Sequence, residues 1–155
     1  MEDTHQISKA ILCYNSRILL LRPKNNIYWH LPGGHLHVNE SYIDGLKREI
    51  KEETNINISK ILEIQNKLNF KLYICMSNTE HVKLSSEHTN FKWVDPLFLR
   101  NFYLTRETLK DIYYTVNNSK SFKQYIPVTY AYHLNKKQKK IAENETEENP
   151  NENIQ

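Results

Sequence analysis

Glu49, Glu52 and Glu53 crowd together beside Arg48, a short way downstream of a Pro32-Gly33-Gly34 turn. Counting on from Gly34, five residues lead to Glu40 and seven more to Arg48-Glu49. Ile50, a spacer, Glu52-Glu53, a second spacer, Asn55 and Ile56 follow. On a helix of 3.6 residues per turn the three acids fall at i, i+3 and i+4 and share one face. Like charges that close repel one another, and a divalent cation would remove the penalty. All-oxygen donors suit hard Mg²⁺ or Mn²⁺, which keep several waters and commonly bridge to substrate phosphates. The competing reading is a solvated, glutamate-rich helix face, which the acids alone do not exclude.

The element that must hold these acids is a helix capped by Ser41, with Asp44 as its capping-box partner, running to about Thr54. Gly45 lies on the acidic face one turn before Glu49. Its missing side chain is expected to let the Gly33-Gly34 loop pass close by, so that a backbone carbonyl completes the site.

Taken together, Gly34, Glu40, Arg48, Glu49, Glu52 and Glu53, with Ile50 and Ile56, resemble the signature of the Nudix hydrolases. Asn55 stands where that pattern has glycine, and a left-handed helix end accepts Asn second only to Gly. Asn39 replaces a turn glycine on the same grounds. The likeness extends over roughly residues 5 to 117. It implies an α+β fold, an α/β/α sandwich with a mixed β-sheet between helices. It also implies a Mg²⁺- or Mn²⁺-dependent hydrolase that breaks a pyrophosphate bond in a nucleoside diphosphate-linked compound by metal-activated water. Such compounds include nucleoside triphosphates, nucleotide sugars, dinucleoside polyphosphates and ADP-ribose. By the same resemblance the metal would rest on Glu49, Glu52, Glu53 and the Gly33 carbonyl. Glu52 or Glu53 by position, or Glu87 by loop analogy, would assist the water. Arg48 would orient the carboxylates, and Glu40 would tie the loop to the helix or join the metal shell. Candidates on the substrate side are Gly34, Arg22, where the family often has a basic residue, and Tyr73, where its dinucleoside polyphosphate hydrolases have a contacting tyrosine. A tyrosine inside a strand is also commonly just packed.

Two other classes compete. Some Nudix domains only sense nucleotides, but these commonly lose box acids, and this chain has all four glutamates. An RNA cap or 5′-end processing role needs a basic path, and the lysines of residues 136–140 abut an acidic tail. A formal charge of +3 is too small to argue for nucleic acid as a partner.

At 155 residues the chain suggests one domain, and 39% hydrophobic with 25% charged residues reads as soluble and globular. No apolar run approaches membrane-spanning length and MEDTHQ has no signal-peptide pattern, so a cytoplasmic protein without a membrane partner is expected. A homodimer is left open. Cys13 and Cys75 sit in strand-like runs, as buried free thiols would.

In chain order, residues 6–14 and 17–21 read as a hairpin about Asn15-Ser16. Residues 22–26 should break the second strand and bring Arg22 and Lys24 near the mouth of the site. Residues 28–31 read as a short strand with Trp29 in the core. Leu36 should face inward between the outward His35 and His37. Strands are expected at 56–67, 70–76 and 91–96, with Glu87 in a polar loop over 77–90, and a second helix at 105–116. Residues 121–134 form an added strand or a docking arm, which periodicity does not decide. Residues 135–155 read as a charged, disordered tail, leaving 1–134 as the domain.

Overall fold

Strand β1, Asp3–Tyr14, is buried on both faces over its second half, and a strand of that kind must be covered from two sides. The computed structural model, which describes residues 2–118, shows how this is done. Ala10 and Leu12 face Leu46 and Ile50 of helix α1, Tyr42–Thr54. Ile11 and Cys13 face Ile112 of helix α2, Arg106–Asn118. The result is the sheet between helices that the sequence implies.

The other strands are β2 (Arg17–Pro23), β3 (Gly33–His37), β4 (Ser59–Lys67), β5 (Phe70–Met76) and β6 (His88–Val94). They run in the order β4-β5-β1-β2-β6, with β3 paired to the first half of β1. β1 and β5 are parallel and the remaining pairs antiparallel, so the sheet is mixed. The β1–β2 turn uses Asn15 at φ 46° and Ser16 at φ 61°, the double left-handed step that a two-residue hairpin needs. Cys13 and Cys75 are buried free thiols.

Several expectations change. The Pro32-Gly33-Gly34 segment is not a free turn: Gly33 and Gly34 open β3, in register with Lys9 and Ser8 of β1. Residues 28–31 make only two single bridges, Leu21 to His30 and Trp29 to Leu104. Trp29 is still buried, edge-on to Phe102. β2 is not broken at Arg22; it continues through Pro23, because β6 begins at His88 and supplies partners for both. Gly45 makes room for a different neighbour, since a Cβ there would meet Leu36 and the Glu40 carboxylate at 3.0 Å. Residues 121–134 and 135–155 lie outside the described residues.

Helix α1 begins as its sequence requires. Ser41 Oγ accepts from the Asp44 amide at 3.1 Å, and the Ser41 hydroxyl donates to Asp44 Oδ2 at 2.7 Å. It ends at Asn55, left-handed at φ 60°, whose amide donates to the Lys51 carbonyl. A left-handed cap tolerates Gly and Asn and strains a β-branched residue. Asn55→Gly is therefore expected to be neutral or mildly stabilising and Asn55→Val to cost about 1 kcal/mol or more. Urea unfolding of the two variants checks this, and equal stabilities would mean the cap does not govern the helix end.

Candidate functional site

Arg48 sets the geometry of the acids. It projects from α1 with all five of its N–H donors engaged. Nε and Nη2 donate to the two oxygens of Glu40 at 2.8 and 2.9 Å, in a bidentate fork. Nη2 also donates to the His35 carbonyl at 2.9 Å, and Nη1 reaches Glu49 at 2.9 Å and Glu52 at 3.4 Å. The fork, first of all, holds the Glu40 carboxyl down at about 2, and the same bond raises the guanidinium's proton affinity. Glu40 also accepts from the His37 amide at 2.9 Å. One arginine thus ties β3, the turn before α1 and the acidic face of α1 together.

Glu53 faces a different environment. Its Oε2 accepts from the Gly33 amide at 2.9 Å, and only 5% of the residue is exposed. Burial pushes its carboxyl up to about 7, against the lowering influence of Lys9 and the Gly33 amide. Gly33 sits at φ 125°, and a Cβ on it would run into the Ser8 carbonyl, so only glycine brings this amide to the carboxylate. Gly34 is constrained from the other side: a Cβ there would lie 2.7 Å from the Glu49 carboxyl carbon.

Three side chains given no role in the sequence complete the interior. Lys9 Nζ donates to the Gly33 carbonyl at 2.9 Å and the Leu31 carbonyl at 3.3 Å. Burial lowers its pKa, while Glu53, Glu49 and Asp111 pull the other way. His30 Nδ1 lies 2.8 Å from the Leu31 carbonyl, which places its proton there and leaves Nε2 to accept from His88 Nε2 at 3.2 Å. Burial depresses both imidazoles, His30 to about 4, so the pair is neutral at pH 7. His88 Nε2 stands 3.6 Å from Glu53 Oε1. The one available sequence signal was Lys9, a charge amid the apolar alternation of a central strand.

These elements enclose a cavity of about 440 Å³ lined by Lys9, Gly33, Gly34, Arg48, Glu49, Glu52, Glu53 and Glu87, among others. Glu87, from the loop before β6, also borders a second hollow of about 520 Å³ with Lys24 and Asn25. Arg22 lines neither cavity. Tyr73 is 2% exposed in the apolar cluster beneath α1, so packing and not substrate contact accounts for it.

The acids are not left to repel one another: Arg48 offsets Glu40, Glu49 and Glu52, and Lys9 lies near Glu53. Among the described residues no three Asp, Glu, His or Cys side chains form a ready cage for a metal. Mg²⁺ does not ask for one. It is commonly held by one or two carboxylates together with substrate phosphates and water. Glu49, cradled against Gly34, and the largely exposed Glu52 both line the cavity and fit that pattern.

Comparison with known proteins agrees with this architecture. The family model for the NUDIX domain matches residues 4–113. A search by sequence among curated proteins finds no match. A nudix hydrolase family member from Chromobacterium violaceum has a similar structure, at 20% identity over 91% of this chain and 98% of that one, with a TM-score of 0.61. An ADP-ribose pyrophosphatase from Streptococcus suis is similar at 21% identity over 74% and 92%, TM-score 0.59. A MutT protein from Methanosarcina mazei Go1 is similar at 25% identity over 74% and 94%, TM-score 0.54.

The raised carboxyl of Glu53 has a stability consequence. Its folded value of about 7 lies above the ordinary 4.5. Its contribution is therefore fully present below pH 4.5 and is lost as pH rises through about 7. Glu53→Gln keeps an acceptor for the Gly33 amide and has no proton to lose. In metal-free buffer the thermal midpoint of Glu53→Gln relative to wild type should climb between pH 4.5 and 7 and level off above. A difference that stays constant across that range would contradict the assigned environment.

Proposed function

We propose, from the premise that this chain belongs to the NUDIX family, that it is a hydrolase cleaving the pyrophosphate bond of a nucleoside diphosphate-linked compound with Mg²⁺ or Mn²⁺. The observation that carries the reading is the meeting of Glu49, Glu52, Glu53 and Glu87 in one cavity beside a fully engaged Arg48. Glu49 and Glu52 would hold the cation, and the resemblance would add the Gly33 carbonyl to that set. Bound there, the cation supplies charge neutralisation at the phosphates and makes water a better nucleophile.

The chain's own residues do the rest. Arg48 has no N–H left for substrate, so its work is to hold Glu49 and Glu52 toward the cavity and β3 against α1. Glu53, with a carboxyl near 7, is matched to accepting the proton of the attacking water at neutral pH. Glu87 is the second carboxylate available for that proton. The hollow shared by Glu87 and Lys24 offers space for the part of the substrate beyond the reacting phosphates.

A screen of nucleoside triphosphates, nucleotide sugars, dinucleoside polyphosphates and ADP-ribose with Mg²⁺ tests the proposal. ADP-ribose has its place because a protein of the same fold is an ADP-ribose pyrophosphatase. The expected products are a nucleoside monophosphate and a phosphorylated remainder, or pyrophosphate from a triphosphate. Glu52→Gln should lower kcat by roughly a hundredfold or more while leaving the metal-free midpoint near wild type. Its carboxylate is 59% exposed and its 3.4 Å contact with Arg48 is of the kind that contributes little. No hydrolysis in any arm, together with no rise in midpoint on adding Mg²⁺ or Mn²⁺, would overturn the assignment.

A further inference from the structure

We infer that Lys9 is the resident cation of the inner half of this site: its ammonium occupies the Gly33 carbonyl and faces Glu53, leaving a divalent ion only the outer carboxylates, Glu49 and Glu52. The inference rests on the hydrolase reading above and refines where that reading puts its metal.

The geometry is specific. Lys9 lies in register with Gly33 across the β1–β3 pair, so its side chain is delivered to the start of β3 by the sheet itself. Nζ is 2.9 Å from the Gly33 carbonyl oxygen and 3.3 Å from that of Leu31. Lys9 also lines the cavity that holds the acids, so it stands between the apolar core and the site. The surrounding charge is of opposite sign, from Glu53, Glu49 and Asp111. The ammonium of a half-buried lysine still needs acceptors, and here they are two backbone carbonyls, one of them the Gly33 oxygen that would otherwise face a metal.

Two consequences follow from electrostatics alone. A divalent ion approaching the Gly33 carbonyl meets an N–H donor already hydrogen-bonded to it at 2.9 Å and, with the lysine protonated, a like charge. The Gly33 peptide is also held at both ends, its carbonyl by Lys9 and its amide by Glu53, so the opening of β3 is set before any metal arrives. Lys9 is thus a positioning residue that also limits the metal count. The outer acids, steered by Arg48, keep their place for an ion that comes and goes with substrate.

Mn²⁺ serves as the probe, counted by electron paramagnetic resonance and by calorimetric titration on the full chain without substrate. Wild type is expected to bind one Mn²⁺ per chain. Lys9→Met should bind a second ion, or bind the first at least about tenfold more tightly, with a larger Mn²⁺-induced rise in thermal midpoint. Lys9→Arg, which keeps the charge, should behave like wild type in stoichiometry. Should Lys9→Met fold only when Mn²⁺ is added, the metal has replaced the missing ammonium, which supports the inference. Equal stoichiometry and affinity in wild type and Lys9→Met would overturn it, and so would two or more Mn²⁺ bound to substrate-free wild type, a result that needs no variant. Failure of the hydrolase reading is distinguishable: neither protein would bind Mn²⁺ or hydrolyse any nucleotide, and both proposals would fall.

Discussion

The five hydrogen bonds of Arg48 are the constraint on which the arrangement of the acids depends. Four partners from three segments converge on one guanidinium: the His35 carbonyl of β3, Glu40 in the turn before α1, and Glu49 and Glu52 on α1. A lysine could supply the charge but not the planar fork that grips both oxygens of Glu40. The spacing of the motif follows. Glu40 must precede the helix cap to reach back to the His37 amide, and Arg48 must come two turns into the helix to meet it from below. Glu49 and Glu52 are then carried into position by helix geometry alone.

What Arg48 does at the outer edge of the site, the Gly33 peptide does at the inner edge. Its amide is given to Glu53 and its carbonyl to Lys9, an arrangement open only to a residue with no Cβ at φ 125°. Glu53 is buried and Lys9 half-buried, whereas Glu52 and Glu87 stand in solvent. A dry inner half and a wet outer half divide the labour. Buried groups fix geometry because moving them would strand unsatisfied polar atoms, and exposed carboxylates stay free to exchange partners.

Much of this was legible in the residues. The capping box of Ser41 and Asp44, the left-handed end at Asn55, the turn at Asn15-Ser16 and the strand at Phe70–Met76 rest on local chemistry, and local chemistry is what sequence reports directly. The glycine segment was misread because Pro-Gly-Gly signals a turn by composition, whereas its pairing depends on β1, distant in the chain. Gly45 was misassigned for a related reason: which neighbour fills the space over a glycine is a tertiary fact, here Leu36 and Glu40. Tyr73 shows the limit of positional analogy, since its place in β5 brings it under α1 instead of into the cavity. His30 and His88 meet only when the bridge from residue 30 to Leu21 and the β2–β6 pairing are both formed, and no spacing rule reports such a pair.

Glu40 and Glu53 show how far a fold can separate two identical side chains. Thirteen positions apart, one is drawn down to about 2 by the Arg48 fork and the other pushed up to about 7 by burial. Across any pH at which the protein would work, Glu40 is a fixed anion and Arg48 its fixed counter-ion, so the scaffold does not respond to protons. Glu53 sits in the range where a proton can be taken up and returned, next to a neutral histidine pair that does not compete for it. Pushing two carboxyls apart in this way leaves one with its charge fixed and the other titrating near neutrality. The separation comes from what surrounds each residue, a guanidinium in one case and an apolar interior in the other. That is why the motif spells both as glutamate while the fold gives them different proton affinities.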